Sequence, residues 1–261
     1  MRRTVLCCGL LIALLMGCRS APAGLQIAGS TSVQPVAEVL AEAYAGNGGG
    51  RVSIQGGGST AGVQAVLSGV AAVGAVSRRL TPAEKAGGLQ EHVIAYDVLT
   101  VVVHADNPLK GLSRRQLGAL FAGAVTDWSQ LKGAPGAVHI VSREAGSGSR
   151  EAFRDLVGPV SPRAIIQNSA GAVRVAVMDN PQAVGYVSLG TLRMGRLKAL
   201  AVDGQRPGEP GYPLVRPLSL VTKGPPVGEA ARFIRFALSP VGQEVMAEEG
   251  LVPVHEKPQK N

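Results

Sequence analysis

Short apolar runs alternate with helical patterns along most of the chain. Residues 25–27 alternate apolar and polar side chains, as in a half-buried strand, and residues 36–44 repeat apolar side chains at helical spacing. The same order recurs at 52–67 and at 138–153. Strands that alternate with helices predict an α/β fold with mostly parallel sheets flanked by helices.

The connections from strand to helix are rich in glycine, serine and threonine. Residues 29–32 read Gly-Ser-Thr-Ser, 56–60 read Gly-Gly-Gly-Ser-Thr, and a serine follows the apolar run that ends at Val76. Ligands of open α/β sheets bind outside the carboxyl ends of the strands. We therefore expect these connections to surround one site.

The stretch 138–153 carries the strongest of these signals. A β-branched run is followed by Arg143, by a turn containing Gly146 and Gly148, and by Ser149, which we predict to be the N-cap of a helix. A helix N-terminus attracts anions, and an arginine can hold the same anion with a planar, permanently charged fork. An ordinary connection with a solvated arginine explains this stretch alone equally well.

Hydroxyl groups at the strand ends are candidate ligands of a small oxyanion. Several neutral donors that converge can offset the lost hydration of an anion, since a hydrogen bond to a charged group contributes about 1.5–3 kcal/mol. Each serine alone is explained better as a turn or cap residue, so the argument depends on their repetition. The candidates are Thr31, Ser32, Ser59, Ser77, Ser147 and Ser149.

Two long β-rich segments, at 95–103 and 214–221, are candidate crossovers between two lobes. They predict a discontinuous lobe I of residues 24–100 and 214–257, with residues 101–213 inserted as lobe II.

The first 18 residues have the pattern of an export signal. Two arginines precede an apolar run at 5–15, which is too short for a permanent membrane span, and the segment ends in Leu-Met-Gly-Cys. This ending resembles a bacterial lipoprotein signal, in which Cys18 becomes the lipidated first residue; a plain secretory signal cut nearby is the alternative. Since Cys7 and Cys8 leave with the signal, no internal disulfide is possible and stability must come from a hydrophobic core.

Composition narrows the choice of ligand. Apolar residues make up 46% of the chain, and the formal net charge is +8. Without Arg2 and Arg3 the excess is 24 basic over 18 acidic residues, which favours anionic partners. Aromatic residues are only 3% and the basic residues are scattered, so nucleic acid is not an expected partner.

Catalytic and metal sites are not indicated. The chain contains neither a Gly-x-Ser-x-Gly elbow nor a phosphate-binding loop ending in Gly-Lys-[Ser/Thr]. Ser129 and Lys132 match the Ser-x-x-Lys of penicillin-interacting enzymes, but its partner motifs are absent. The four histidines, at 92, 104, 139 and 255, lack metal-ligand spacing. We expect no catalytic residue, cofactor or metal.

Six segments together resemble the PstS-type substrate-binding proteins of phosphate ABC transporters. The most specific is the run Arg-Glu-Ala-Gly-Ser-Gly-Ser at 143–149. The others, in chain order, are residues 29–35, 56–62, 73–78, 106–108 and 183–187. The resemblance implies a two-lobed periplasmic-binding-protein fold with two crossover strands (type II), which closes over inorganic phosphate. It also implies a non-enzymatic protein of the periplasm that delivers phosphate to a membrane permease powered by an ATPase.

The resemblance also assigns site residues by position. Lobe I contributes Thr31, Ser32, Ser59 and Ser77, and lobe II contributes Arg143, Ser147, Gly148 and Ser149.

Ser77 falls where some family members place an aspartate that accepts a proton from phosphate, although others carry serine there. Because sulfate has no such proton, an acceptor separates the two anions. Here another acceptor would be needed, such as Asp97 or Glu144, a hydroxyl or a backbone carbonyl.

Three other functions stay open at this point. The same fold could bind another oxyanion, such as sulfate or molybdate. A secreted phosphatase or other hydrolase belongs to a different class, and a sensor or scaffold would keep the fold without transport.

Overall fold

The computed structural model describes residues 24–192 and 197–256. The predicted signal at 1–18, the lipidation site Cys18 and residue 257 lie outside this part of the chain. The strands are β1 Leu25–Gly29, β2 Val52–Gly56, β3 Val73–Val76, β4 Leu89–His104, β5 Gly111–Leu112, β6 His139–Arg143, β7 Ile165–Gln167, β8 Ala183–Ser188, β9 Leu197–Ala199, β10 Ala201–Val202, β11 Val215–Lys223 and β12 Val252–Pro253.

The helices alternate with these strands. They are α1 Gln34–Gly46, α2 Ser59–Leu67, α3 Pro82–Ala86, α4 Arg114–Phe121, α5 Gly148–Leu156, α6 Ala170–Met178, α7 Leu189–Leu192, α8 Gly228–Ala237 and α9 Pro240–Glu248, with 3₁₀ helices at Trp128–Leu131 and Val254–Glu256. Within the described residues, no helix has the length and apolar character that a membrane span requires.

One sheet runs through the molecule in the order β2-β1-β3-β11-β4-β8-β6-β7. We call β1, β2 and β3 with α1, α2, α3, α8 and α9 the first half, and β6, β7 and β8 with α4, α5 and α6 the second half. Pairing is parallel among β1, β2 and β3 and among β6, β7 and β8. It is antiparallel where β4 and β11 join the halves, because these strands carry the chain across and back.

The two predicted crossovers are the long strands β4 and β11. β4 pairs with β11 along residues 89–98 and then with β8 along 99–103. One continuous strand therefore belongs to both halves, which gives the α/β, two-crossover architecture that the pattern of apolar segments predicts.

Each half packs around its own apolar core. In the first half Leu40 and Tyr44 of α1 pack with Phe233 of α8 and Met246 of α9. In the second half Phe153 of α5 stacks on Tyr186 of β8, with ring centroids 4.2 Å apart. Two separate cores permit the halves to move relative to each other without unfolding either one.

The start of α5 differs from the prediction. Ser147, not Ser149, is the N-cap: its backbone is extended, and its hydroxyl accepts a hydrogen bond from the Arg150 N–H at 3.4 Å. The turn therefore closes two residues earlier than we expected, because Gly146 adopts a positive φ of +85°. As a result, Ser149 lies in the first turn of the helix.

Candidate anion-binding site

Three connections of the first half bring their hydroxyl groups to one point. Ser59 and Ser77 are fully buried, and the Ser77 N–H donates to Ser59 Oγ over 3.1 Å. Ser30 Oγ donates to Ser77 Oγ over 2.9 Å. The ends of β1, β2 and β3 thus meet because these strands are parallel neighbours in the sheet.

A single connection of the second half, from β6 to α5, faces this cluster. It contains Arg143, Ser147, Gly148 and Ser149, all of them buried. The first N–H groups of a helix have no partner within the helix, so the start of α5 presents donors and the positive end of its dipole.

The two sides touch through predicted residues. Arg143 Nη2 donates to Thr31 Oγ1 over 3.1 Å, and the Ser32 and Ser149 hydroxyls lie 2.9 Å apart. A Cβ atom on Gly148 would lie 2.1 Å from Ser59 Oγ. Glycine is therefore required at position 148 for the two sides to meet.

Ser147 is the predicted site residue whose side chain has another task. Its hydroxyl caps α5 by accepting from the Arg150 N–H and keeps its own proton to donate, whereas its N–H already donates to the Glu144 carbonyl over 3.3 Å.

Arg143 is held by its neighbour Glu144. The Nε and Nη2 atoms of Arg143 donate to the two carboxylate oxygens of Glu144, each over 2.8 Å. The exposed fraction of Arg143 is 2%. A bidentate pair fixes the plane of the guanidinium, and the arginine is thereby aimed at Thr31 across the cleft.

Both carboxylates that the sequence offered as proton acceptors already have partners. Asp97 Oδ2 accepts from Arg216 Nε over 2.9 Å, and Asp97 Oδ1 accepts from Ser188 Oγ over 2.5 Å. Glu144 is paired with Arg143 as described. Neither carboxylate is thus an uncommitted acceptor.

Ser30 and Arg216 belong to the site region, but sequence reasoning missed them. Arg216 Nη1 donates to Ser149 Oγ over 2.6 Å. A lone arginine inside the apolar run of β11 was an available signal, since a charge at such a position needs a partner. Ser30 stands beside two predicted residues and offered no signal of its own.

Metal coordination has no candidate cluster in the described part of the chain, where no three His, Cys, Asp or Glu residues group in a way that could hold an ion.

Comparison with known proteins bears on this geometry. A family model of the PBP superfamily domain matches residues 19–241. This chain belongs to the PBP superfamily, among its PstS-type members. It is similar to the phosphate-binding protein PstS of Bacillus subtilis (strain 168), with 28% identity over 253 residues that cover 91% of this chain and 83% of that protein.

Two similar solved structures are of phosphate transport proteins. One, from Clostridium perfringens, was solved with bound phosphate and is assigned to phosphate ABC transporter substrate-binding proteins; the identity is 34% and the TM-score 0.83, over 89% of this chain and all of that one. The other is an ABC-type phosphate transport receptor from Vibrio cholerae, with 33% identity and a TM-score of 0.73, over 87% and 99% of the two chains.

In this PstS-type chain a further ion pair joins the two halves beside the site. Arg78, next to Ser77, donates from Nη1 and Nη2 to Glu84, and its Nε contacts Glu151 on α5. Burial lowers the pKa of Arg78, but the bonds to Glu84 and the charge of Glu151 raise it overall. Arg78 stays charged and links the first half to the second.

Proposed function

We propose that this chain is an extracytoplasmic substrate-binding protein that captures inorganic phosphate between its two halves and delivers it to a phosphate ABC transporter. The observation that carries this proposal is the meeting of hydroxyl donors from three separate connections with one guanidinium and one helix N-terminus. This donor set suits a small, multiply charged oxyanion.

The chemistry of the site explains how such an anion would be held. Hydroxyl and backbone N–H donors replace water around the phosphate oxygens, and Arg143 supplies a full positive charge in a buried setting. Each hydrogen bond to a charged group contributes about 1.5–3 kcal/mol, so a handful of them offsets the hydration that phosphate loses. The proposed ligands are Thr31, Ser32, Ser59, Ser77, Arg143, Ser147, Ser149 and the backbone of Gly148.

Capture and release require the halves to move. We propose lobe I as residues 24–100 and 214–257 and lobe II as residues 101–213, with the hinge in β4 and β11 where the chain crosses. In support, the Thr60 N–H donates to the Gly146 carbonyl over 3.1 Å, and Arg78 contacts Glu151, so closure creates contacts beyond those to the anion. Phosphate entry needs these contacts to open.

The remaining parts of the proposal concern location and partners. Cys18 would carry the lipid that tethers the protein to the outer face of a membrane, where a permease and its ATPase subunits receive the phosphate. We propose no catalysis, cofactor or metal.

A second candidate ligand has a specific observation in its favour. Ser77 replaces the carboxylate that would accept a phosphate proton, and Asp97 and Glu144 are both paired with arginines. A free carboxylate would repel an anion that has no proton to donate, such as sulfate or molybdate. Since this site has no free carboxylate, it should discriminate less strongly against such anions.

Calorimetric titration of the chain without its signal segment tests the proposal. We expect saturable binding of phosphate at one site, with sulfate and molybdate binding more weakly. Tighter binding of sulfate than of phosphate would contradict the phosphate assignment and favour the second candidate ligand. Turnover of a chromogenic phosphate ester would show that the protein is a hydrolase and not a binding protein for transport.

A further inference from the structure

A buried ion pair joins the two crossover strands, and phosphate binding as proposed above assigns no role to it. Arg216 on β11 lies opposite Asp97 on β4 in the antiparallel register. The exposed fractions of these residues are 2% and 0%. Because the cost of taking two charges out of water can exceed their mutual attraction, a buried pair is weak evidence for a purely stabilising role.

The guanidinium of Arg216 contacts Asp97 with two of its nitrogens and the anion site with the third. Nε donates to Asp97 Oδ2 over 2.9 Å, and Nη2 lies 2.7 Å from the same oxygen without an aligned hydrogen bond. Nη1 points the other way and donates to Ser149 Oγ over 2.6 Å and to the Ser77 carbonyl over 3.4 Å. Arg216 thus contacts a residue on each side of the site.

The contact with Ser149 restricts what that hydroxyl can do. A guanidinium can only donate hydrogen bonds, whereas a hydroxyl has one proton to donate and can also accept. Since Ser149 Oγ accepts from Arg216, its own proton must be donated elsewhere, and Ser32 Oγ at 2.9 Å marks that direction. A charged donor also polarises the hydroxyl and makes it a stronger donor.

We propose that Arg216 is a positioning residue for anion binding, which commits the Ser149 hydroxyl to donate toward the anion. The inference rests on the proposed function, because it assigns an orienting role at that same site. Asp97, itself held by Ser188, keeps the guanidinium in place. Arg143 acts on Thr31 in the same way from the second half, since its Nη2 donates to Thr31 Oγ1.

A double-mutant cycle between Arg216 and Ser149 tests the proposal, with phosphate affinity measured by calorimetry. Arg216→Lys keeps a charge beside Asp97, but the lysine ammonium ends near the position of Cζ, one bond short of Nη1, and lacks the fork that reaches Asp97 and Ser149 together. We expect this variant to bind phosphate about tenfold more weakly than the unmodified chain, a loss typical of one charge-assisted hydrogen bond. With Ser149→Ala already present, Arg216→Lys should change affinity by less than about twofold, because coupled residues are not additive.

A second variant and a control keep the outcome clear. The combination Asp97→Asn with Arg216→Gln removes both buried charges together, so neither is left unpaired, and we expect a similar loss that also depends on Ser149. Arg114→Lys, in the exposed pair of Arg114 with Asp203 at 2.8 Å, should change nothing. Thermal unfolding of each variant establishes that it is folded.

Two results would overturn the inference. Either unchanged affinity in both Arg216 variants, or an equal loss with and without the Ser149 hydroxyl, would show that Arg216 does not act through Ser149. If the unmodified chain itself fails to bind phosphate, the proposed function fails too; if it binds and only the cycle fails, the function stands.

Discussion

The two sides of the site are built in different ways. The first half contributes uncharged hydroxyls from three connections, at Thr31, Ser59 and Ser77, whereas the second half contributes one continuous segment, 143–149, with a guanidinium and a helix N-terminus. Charge follows the same division. Residues 101–213 hold thirteen Lys and Arg against eight Asp and Glu, while residues 24–100 and 214–256 hold eight against ten.

This difference indicates a division of labour. The second half supplies the positive charge that attracts and holds an anion, and the first half supplies directional donors that complete the contacts when the halves meet. A change on the charged side should therefore reduce affinity more than the loss of one hydroxyl on the other side.

The largest loss is expected from Arg143→Ala. It removes the buried charge and leaves the Glu144 carboxylate unpaired beside the anion. Truncation of one partner in a buried charged contact costs about 2–5 kcal/mol, so phosphate affinity measured by calorimetry should fall roughly 1000-fold. Arg115→Ala, at an exposed position on α4, is the control. Unchanged affinity in Arg143→Ala would remove this arginine from the site.

Gly148→Ala tests the close approach of the two sides. The added Cβ would lie 2.1 Å from Ser59 Oγ and 2.5 Å from Ser77 Oγ. Overpacking of this kind costs about 1–3 kcal/mol, which predicts a loss of up to about 100-fold in phosphate affinity. Small-angle scattering should also show that the variant stays open at saturating phosphate.

The matched control for this variant is Gly171→Ala. A Cβ there would have only Ser169 Oγ, at 4.0 Å, within reach, and the position lies in helix α6 of the same half. If Gly148→Ala closes normally and binds like this control, the geometry of closure described above is wrong.

The hydroxyl side is tested by Thr31→Val, which keeps the side-chain shape. Arg143 loses its hydroxyl acceptor across the cleft, and the anion loses one donor. Loss of a single hydrogen bond to a charged group predicts about a tenfold loss of phosphate affinity. Thr126→Val, at an exposed position, should bind normally. If Thr31→Val loses as much phosphate affinity as Arg143→Ala, the proposed difference between the two sides is wrong.

The smallest effect concerns stability against pH. Burial raises the pKa of Glu84, but hydrogen bonds from Arg78 and Thr81 lower it overall, below its usual 4.5. Below pH 4.5 the unfolded chain therefore binds more protons at Glu84 than the folded chain does. The contribution of Glu84 to the free energy of unfolding is fully present above pH 4.5 and is lost as the pH falls through the lowered pKa of the folded state.

Glu84→Gln should therefore flatten the fall of the unfolding free energy below pH 4.5, measured by urea denaturation at several pH values. Glu42→Gln, exposed on α1, is the comparison. Parallel curves for Glu84→Gln and the unmodified chain would contradict the assigned pKa direction.

The features that the sequence predicts most clearly are those set by short stretches of chain. Residues 143–149 carry strand, turn and helix start in one stretch, and the long crossovers β4 and β11 stand out as β-rich segments. The capping boxes at Thr81 and Ser113 pair each N-cap with a Glu or Gln only three residues later, which is also a local pattern. Each of these features depends on neighbours in the chain.

The parts that sequence could not predict depend on distant neighbours. Arg216 meets Asp97 across 119 positions only because β4 and β11 pair in one antiparallel register. Short strands such as β5 and β7 have too few residues to show a period. The N-cap of α5 moved to Ser147 because the φ of Gly146 decides where the turn closes, and several glycines nearby permit alternatives.

A crystal structure of this chain with phosphate tests the central claim most directly. We predict one phosphate whose oxygens lie within about 3.2 Å of donors from both sides, including the Arg143 guanidinium and at least two of the hydroxyls of Thr31, Ser59 and Ser77. A phosphate that contacts one side alone, or that binds elsewhere on the molecule, would contradict it.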